Sequence, residues 1–266
     1  MTAERPVYAF DAALLREPSA TVSAGLSAQV VTPPSYEAVC QEHRRYVEAL
    51  RQAGVETFVL PALDDFPDAV FVEDPALVFG DTAIVLRPGA PSRQGEAQAM
   101  APSLKEHFFS VLHLPGNGHA EGGDVLVAAD EVMIGLSDRT DQAGAEALVT
   151  CLETLGLSAR IVQTPPDVLH FKSDCSVLDE RTVLTTERLA RSGVFDGYAT
   201  VVVPDDELAA ANALRVNDTV LVGDGFPATA AMLREAGYQT VALPTTAIGK
   251  LDAGLSCMSL RWRQPR

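Results

Sequence analysis

One of the four cysteines, Cys257, lies nine residues from the end of the sequence in the segment LDAGLSCMSL (251–260). Gly254 and Ser256 precede it, and such small residues allow other backbone to approach closely. A free cysteine is most often a small, buried apolar residue. An ionised thiol is also a strong nucleophile when a base lies near it. Cys257 is therefore either a core residue or a nucleophile whose base comes from a distant part of the chain.

Three acidic residues crowd one apolar segment, DAVFVEDPALVF (68–79). Asp68, Glu73 and Asp74 would cost free energy inside an apolar run unless each carboxylate had a partner. One interpretation is a turn at the end of a strand, open to solvent. The other is a site for a cation, which the formal net charge of -16 favours because an acidic protein attracts cationic ligands.

The base for Cys257 would come from one of five histidines. Helix-like or apolar strand surroundings indicate a structural role for three of them, namely His43, His107 and His113. His119 lies in the glycine-rich segment GNGHAEGGDVL (116–126), and His170 lies in DVLHFKSDCSVL (167–178). Both remain candidates, because spatial adjacency cannot be read from a sequence.

The other cysteines are weaker candidates for the nucleophile. Cys175 begins a β-branched strand, where a buried structural thiol is expected, and Cys40 and Cys151 lie within helical segments. None of the four cysteines has the CxxC or short Cys/His spacing of a zinc site. All four are predicted to be free thiols.

The fold must bring these candidate residues together, and the sequence contains repeated strand–helix–strand units that build it. In VNDTVLVGDGFPATAAMLREAGYQTVALP (216–244), a strand from Thr219 to Val222 leads to a helix that ends near Gly237, and a second strand follows from Thr240 to Leu243. The same order recurs in residues 130–165, 81–115 and 180–204, and in an N-terminal unit with the helix SYEAVCQEHRRYVEALRQAG and the strand ETFVLP. Five units without a linker predict a closed ring of α/β modules in one domain, residues 1–266.

An open, doubly wound sheet is the alternative arrangement of such units. It would carry GxGxxG after a strand, but the glycines at positions 116, 118, 122 and 123 precede a strand and do not fit that spacing. The sequence also lacks GxxxxGK[ST]. Nucleotide binding is therefore not predicted, and these glycines are interpreted as turn formers around a functional carboxylate.

Composition narrows the class of protein. With 266 residues, 47% hydrophobic and 6% aromatic, a soluble globular protein is expected. The N-terminal sequence lacks the pattern of a secretory signal, and no window approaches about 18 apolar residues, so a cytoplasmic protein without a membrane partner is predicted. The sequence pI near 4.6 argues against a nucleic-acid partner, because the phosphates would be repelled.

Six segments, taken in order, resemble one known family: DAVFVEDPALV, RPGAPSRQGE, GHAEGGDVL, GLSDRT, LHFKSDCSVL and LDAGLSCMSL. The family is dimethylarginine dimethylaminohydrolase, in the guanidino-group-modifying (pentein) superfamily. The resemblance implies an α/β fold, a five-bladed α/β-propeller of repeated ββαβ-type modules. This fold agrees with the five units found above.

The resemblance also implies a role for each candidate residue. Cys257 would be the nucleophile, His170 the general acid and base, and Glu121 the carboxylate that orients His170. His119 is then assigned to a loop. The implied substrate-binding residues are Glu73 and Asp74 for the guanidinium, Asp68 for the α-amino group, Arg93 and Arg139 for the α-carboxylate, Leu26 on a mobile lid, and Leu251 through its backbone.

The implied reaction is hydrolysis of an Nω-methylated arginine to citrulline and an amine, through a covalent thiouronium on Cys257. No metal or organic cofactor is required. The expected partners are a small cationic amino acid and a second copy of the chain in a homodimer. Two alternatives remain: an arginine deiminase acting on unmethylated arginine, and a non-catalytic binder of cationic amino acids. A binder would not need Cys257, His170 and Glu121 together.

Overall fold

In the computed structural model, which describes residues 6–28, 32–166 and 168–264, fifteen strands form five three-stranded sheets. The strands β1 to β15 are, in chain order, Ala12–Arg16, Glu56–Leu60, Ala76–Phe79, Thr82–Val85, Ser110–His113, Val125–Val127, Val132–Leu136, Ala159–Gln163, Cys175–Val177, Thr182–Thr185, Ala199–Val202, Leu214–Val216, Thr219–Gly223, Gln239–Leu243 and Leu260–Trp262. The helices α1 to α6 are Tyr36–Gln52, Gln94–His107, Gln142–Thr154, Glu187–Ala190, Pro227–Glu235 and Thr246–Gly249.

Each sheet repeats one topology. The first strand runs antiparallel to the second, the second runs parallel to the third, and a helix crosses between the second and third strands. A parallel pair requires such a crossover, which is why every unit carries a helix. The sheets are β3-β4-β5, β6-β7-β8, β9-β10-β11, β12-β13-β14 and β15-β1-β2.

The fifth sheet joins the two ends of the described chain. In it, β15 pairs antiparallel with β1, with Trp262 opposite Ala12, and β1 pairs parallel with β2. Every residue of β1 is buried. The repeats predicted five α/β units, and the family resemblance implied a five-bladed α/β-propeller; this fold class is confirmed.

The helices follow the predicted pattern. Helix α1 begins after Ser35, whose side chain accepts a hydrogen bond from the backbone of Ala38, and it buries Val39, Tyr46 and Leu50 on one face. Gly237 follows α5 with a φ of +92°, a conformation that favours glycine. No helix within the described ranges is both long and apolar enough to cross a membrane.

The segments that enter the first strand of each sheet lie close together. Short 3₁₀ turns at Gly122–Asp124, Phe171–Ser173 and Ser256–Met258 lead into β6, β9 and β15. The backbone N–H of Glu73, ahead of β3, donates to the carbonyl of Cys257 at 3.1 Å. Repetition therefore gathers equivalent segments of different units in one place.

Candidate active site

A cavity of about 160 Å³ lies among these entry segments. Eight of the ten residues predicted for the site line it: Leu26, Asp68, Asp74, Arg93, Arg139, His170, Leu251 and Cys257. The two predicted residues outside its lining are Glu73 and Glu121. The site therefore draws its residues from separate units of the ring, which the sequence spacing alone does not bring together.

His170 and Glu121 form a buried pair. Nε2 of His170 lies 2.6 Å from Oε2 of Glu121. The other carboxylate oxygen of Glu121 accepts from the backbone N–H groups of Gly89 and Ala90, at 2.9 and 3.3 Å. Glu121 is fully buried, and these bonds fix its orientation, so it holds the imidazole of His170 in one position.

The protonation of His170 is set by its acidic surroundings. Burial by itself lowers the pKa of His170, but the carboxylates of Asp74, Asp124 and Glu121 outweigh it and raise the pKa to about 9. His170 is therefore an imidazolium at neutral pH. In this state it can donate a proton from the ring nitrogen that Glu121 does not hold.

Asp124 supports this pair, although the sequence prediction missed it. Its carboxylate accepts from the hydroxyls of Ser137 and Thr140 at 2.7 and 2.6 Å, and from the backbone N–H of Phe171 at 2.8 Å. Phe171 follows His170 directly, so Asp124 anchors the segment that carries the imidazole. Its place in the motif GHAEGGDVL was the available signal.

Cys257 combines burial with access to the cavity. Its residue surface is 9% exposed, and its backbone N–H donates to the carbonyl of Gly254 at 3.3 Å. Burial, followed by the negative charges of Asp74 and Glu73, raises the pKa of the Cys257 thiol to about 12. The thiol is therefore neutral in the empty site. All four cysteines are free, as predicted.

Asp74 stands between the catalytic candidates and Arg93. It forms an ion pair with Arg93, and its Oδ1 accepts from the backbone N–H of Gly123 at 3.1 Å. A Cβ at Gly123 would lie 2.8 Å from the His170 ring and 2.9 Å from Asp74, so only glycine allows this approach. Burial raises the pKa of Asp74, but Arg93 and His170 outweigh it and lower the pKa below its usual value.

Asp68 and Leu26 contact each other across the cavity mouth. The backbone N–H of Leu26 lies 3.0 and 3.2 Å from the two carboxylate oxygens of Asp68. Burial raises the pKa of Asp68, partly opposed by Arg93 and by this backbone hydrogen bond. Asp68, Glu73 and Asp74 are all buried, so the interpretation of this segment as a solvent-exposed turn is wrong.

Glu73 lies outside the lining of the first cavity. Its Oε1 lies 2.6 Å from Nζ of Lys172 and 2.8 Å from a guanidinium nitrogen of Arg261, and its Oε2 accepts from the hydroxyl of Ser256. Glu73 lines a second, larger cavity. Contact between Glu73 and a substrate guanidinium stays a prediction, with which these three partners would compete.

Arg93 also has most of its donors occupied. It donates to Glu96 and Asp74, and to the backbone carbonyls of Asp68 and Phe71. These contacts hold Asp74 in place, and the role of Arg93 in binding a substrate carboxylate stays a prediction. Arg139 has a side chain that is 20% exposed and lies 3.7 Å from Glu121, which leaves it the better placed carboxylate ligand.

His119 lies apart from the cavity lining. Its Nδ1 is 3.1 Å from the carboxylate of Asp141, and its side chain is 35% exposed. This position agrees with the loop role that the resemblance implies. The lining of the cavity also includes Phe71, Leu169 and Asp252, which were not predicted as site residues from the sequence.

One group of side chains has a spacing that could hold a metal ion. Ligand atoms of Asp74, Glu121 and His170 lie within 4.8 Å of one another. Coordination would require a neutral imidazole, whereas His170 has a pKa of about 9 and is bonded to Glu121. The group therefore fits a proton-transfer site better than a metal site. The expectation that no cofactor is needed stays a prediction.

Known proteins resemble this chain along most of its length. A family model described as "N,N dimethylarginine dimethylhydrolase, eukaryotic" matches residues 29–184. The N(G),N(G)-dimethylarginine dimethylaminohydrolase of Pseudomonas aeruginosa is 33% identical over 250 residues, which cover 94% of this chain and 98% of the relative. A protein of the same name from Streptomyces coelicolor is 32% identical over 254 residues, covering 95% and 97%.

Solved structures give the same result. A cysteine-to-serine mutant of the Pseudomonas aeruginosa protein, complexed with citrulline, matches with a TM-score of 0.93 and 32% identity, covering 96% of this chain and 100% of that chain. The N-terminal domain of the cyanobacterial arginine dihydrolase ArgZ matches with a TM-score of 0.85 but only 18% identity, which shows the fold alone. By fold and sequence, the chain belongs to the dimethylarginine dimethylaminohydrolase family.

Proposed function

We propose that this protein hydrolyses Nω-methylated L-arginine to L-citrulline and methylamine or dimethylamine. The observation that carries the proposal is that Cys257, the His170–Glu121 pair and Asp74 converge at one small cavity. A nucleophile, a proton donor and an anion are the groups that attack on a guanidinium requires. A protein that only binds cationic amino acids would not need the first two.

Substrate recognition rests on charges at both ends of the molecule. Asp74 is the anion that faces the guanidinium, with Arg93 fixing its orientation. Asp68 takes the α-amino group near Leu26, and Arg139 takes the α-carboxylate through a planar pair of donors. Leu251 completes the wall.

The first half of the reaction forms a covalent intermediate. On substrate binding the Cys257 thiol gives its proton to solvent. The thiolate then attacks the central guanidinium carbon, and a C–S bond forms as the C=N π bond opens. The His170 imidazolium then gives its proton to the methylated nitrogen, and the C–N bond to that nitrogen breaks. The amine leaves neutral, and a thiouronium remains on Cys257.

The second half releases the product. His170, now neutral, takes a proton from a water molecule as the oxygen attacks the thiouronium carbon. The C–S bond breaks, the remaining proton of the water oxygen passes to the sulfur, and citrulline forms with its new C=O bond. His170 keeps the proton that it took from water, so the imidazolium and the neutral thiol are both restored. Glu121 stabilises the charge of His170 at each turnover through the 2.6 Å contact.

An assay of citrulline formation tests this function. Asymmetric dimethylarginine, monomethylarginine and arginine are compared by kcat/KM at equal enzyme concentration. We expect both methylated substrates to exceed arginine. A higher kcat/KM for arginine would assign the protein to arginine deimination instead.

Replacement of His170 separates the two histidine candidates. We expect His170→Ala to lower kcat by about 10³-fold, because general acid–base catalysis is typically worth 10² to 10⁴. His119→Ala is the matched control and should stay within about twofold, since His119 lies outside the cavity. Steady-state rates of citrulline release measure both. Equal losses in the two variants would mean that the motifs misplaced the base.

The pH profile of the wild type gives a further check on His170. Its pKa is about 9, and the first half of the reaction requires the protonated ring. The reacting form also needs the Cys257 thiolate, whose pKa of about 12 a bound substrate lowers by at least one or two units. Amine release in a single turnover should therefore rise with pH up to about 9 and level off above it, because loss of the imidazolium offsets the gain in thiolate. A rate of amine release that keeps rising tenfold per pH unit from pH 9 to pH 10 would exclude His170 as the acid.

Replacement of Asp68 or Arg139 tests recognition of the amino-acid end. Asp68→Ala and Arg139→Ala each remove a charge-assisted bond worth about 1.5 to 3 kcal/mol, so KM for dimethylarginine should rise about tenfold or more. A dimethylated alkylguanidine lacks the α-amino and α-carboxylate groups. Its kcat/KM should change little, and equal penalties for both substrates would show that the two residues act structurally.

Three further predictions remain part of this proposal. We propose that residues 1–266 act as one catalytic domain, which the shared sheet of β1 and β15 supports. A cytoplasmic location and a homodimer stay predictions from the sequence and the resemblance.

A further inference from the structure

A second cavity of about 610 Å³ lies among the first strands of the five sheets. Residues of β3, β6, β9, β12 and β15 contribute to its wall. Among the described residues, none lines both this cavity and the candidate active site. The proposed reaction makes no use of this space, which has a volume typical of small-molecule sites.

The charge of its lining is opposite to that of the whole chain. Four cationic side chains line the cavity, Lys172, Arg215, Arg261 and Arg263, against one carboxylate, Glu73. Lys172 and Arg261 share that carboxylate, at 2.6 and 2.8 Å. The formal net charge of the chain is -16, so a positive interior surface is a local feature that favours an anionic ligand.

The rest of the wall is largely apolar. Strand residues such as Phe79, Leu126, Val127 and Val177, together with Trp262, supply most of the remaining surface. An inorganic anion would leave this surface without contacts. A ligand with one anionic group and an apolar body would use both parts of the wall.

We propose that this cavity is a second ligand site, which binds a small monocarboxylate with an apolar chain or ring. The carboxylate lies near the cationic side chains of the lining, Lys172, Arg215, Arg261 and Arg263, and the apolar body lies along the inner strands. The site is separate from the catalytic cavity and does not depend on the reaction proposed for it.

Isothermal titration of the full chain with octanoate tests the site, and octanamide serves as the neutral probe of equal length. We expect one octanoate per chain, and at least about tenfold weaker binding of octanamide, because a charge-assisted bond is lost. Arg261→Gln should weaken octanoate binding by about tenfold. Arg45→Gln, which removes an exposed cation of α1, is the matched control and should have less than a twofold effect.

Two further variants locate the binding and guard against a folding defect in Arg261→Gln. Ser176→Leu places a larger side chain in the wall and fills part of the cavity, so it should weaken octanoate binding at least about fivefold. Arg139→Ala alters only the catalytic cavity and should leave octanoate binding unchanged. Equal binding of octanoate and octanamide, no binding up to about 10 mM, or loss of binding in Arg139→Ala alone would overturn the proposal.

Discussion

Cys257→Ser should lower kcat for dimethylarginine by at least about 10⁴-fold and leave substrate binding largely intact. Removal of a covalent nucleophile from a catalytic group that acts as a unit typically costs this much or more. Serine keeps the approximate shape of cysteine, but its hydroxyl does not ionise under these conditions. The surface of Cys257 is 9% exposed, and the residue lines the cavity, so its thiol can contact a substrate bound there.

Two measurements separate loss of chemistry from loss of structure. Steady-state citrulline release gives kcat, and calorimetric titration of Cys257→Ser with dimethylarginine gives Kd without turnover. Cys40→Ser is the matched control, because it removes a free thiol from α1, away from the cavity, and should retain full activity. A loss of only about tenfold in Cys257→Ser would exclude covalent catalysis by this residue.

Local sequence patterns were enough to predict the five-unit fold. Strand β13 was predicted from Thr219 to Val222 and ends one residue later, and the helix predicted from its amphipathic pattern is α1. These elements depend on alternation, capping and turn residues that lie within about 20 positions of each other. The strand order within each sheet was not predicted, and it recurs from sheet to sheet because repeated units pair their strands in the same way.

The site was harder to predict than the fold, because its contacts join positions that are far apart in the sequence. Glu73 was predicted to hold the guanidinium, but its partner Arg261 lies 188 residues away, and no local motif indicates that pairing. Arg93 was predicted to bind a substrate carboxylate, but its ion pairs with Glu96 and Asp74 were not foreseen. Local motifs are enough to predict which residue types form the site. They do not predict which charged group a buried side chain contacts, because that depends on how the five units fold together.

The ionisation of Cys257 should depend on the substrate. Its pKa of about 12 in the empty site leaves about one thiolate per 10⁵ molecules at pH 7. Burial is the largest cause, and the carboxylates of Asp74 and Glu73 add to it. A guanidinium within about 4 Å of the sulfur reverses part of this effect and should lower the pKa by at least one or two units.

His170 does not supply a standing ion pair in this arrangement. Its pKa of about 9 follows from three carboxylates, after burial has opposed the shift, so its charge is balanced by Asp74, Asp124 and Glu121 before a thiolate forms. The resting enzyme then holds a neutral thiol beside a protonated imidazole. This state protects Cys257 from oxidation, since oxidation follows thiolate character, and it keeps the proton that the leaving amine needs.

Absorbance near 240 nm, measured against pH for wild type and for Cys257→Ser, tests this mechanism. In the absence of ligand, the difference between the two proteins should show no thiolate below about pH 9. An alkylguanidine that binds without reacting should move the Cys257-dependent signal to lower pH, while acetamide, a neutral ligand of similar polarity, should not. A Cys257-dependent signal that titrates below pH 7 in the ligand-free protein would contradict activation by substrate and would require a preformed pair between the thiolate and His170.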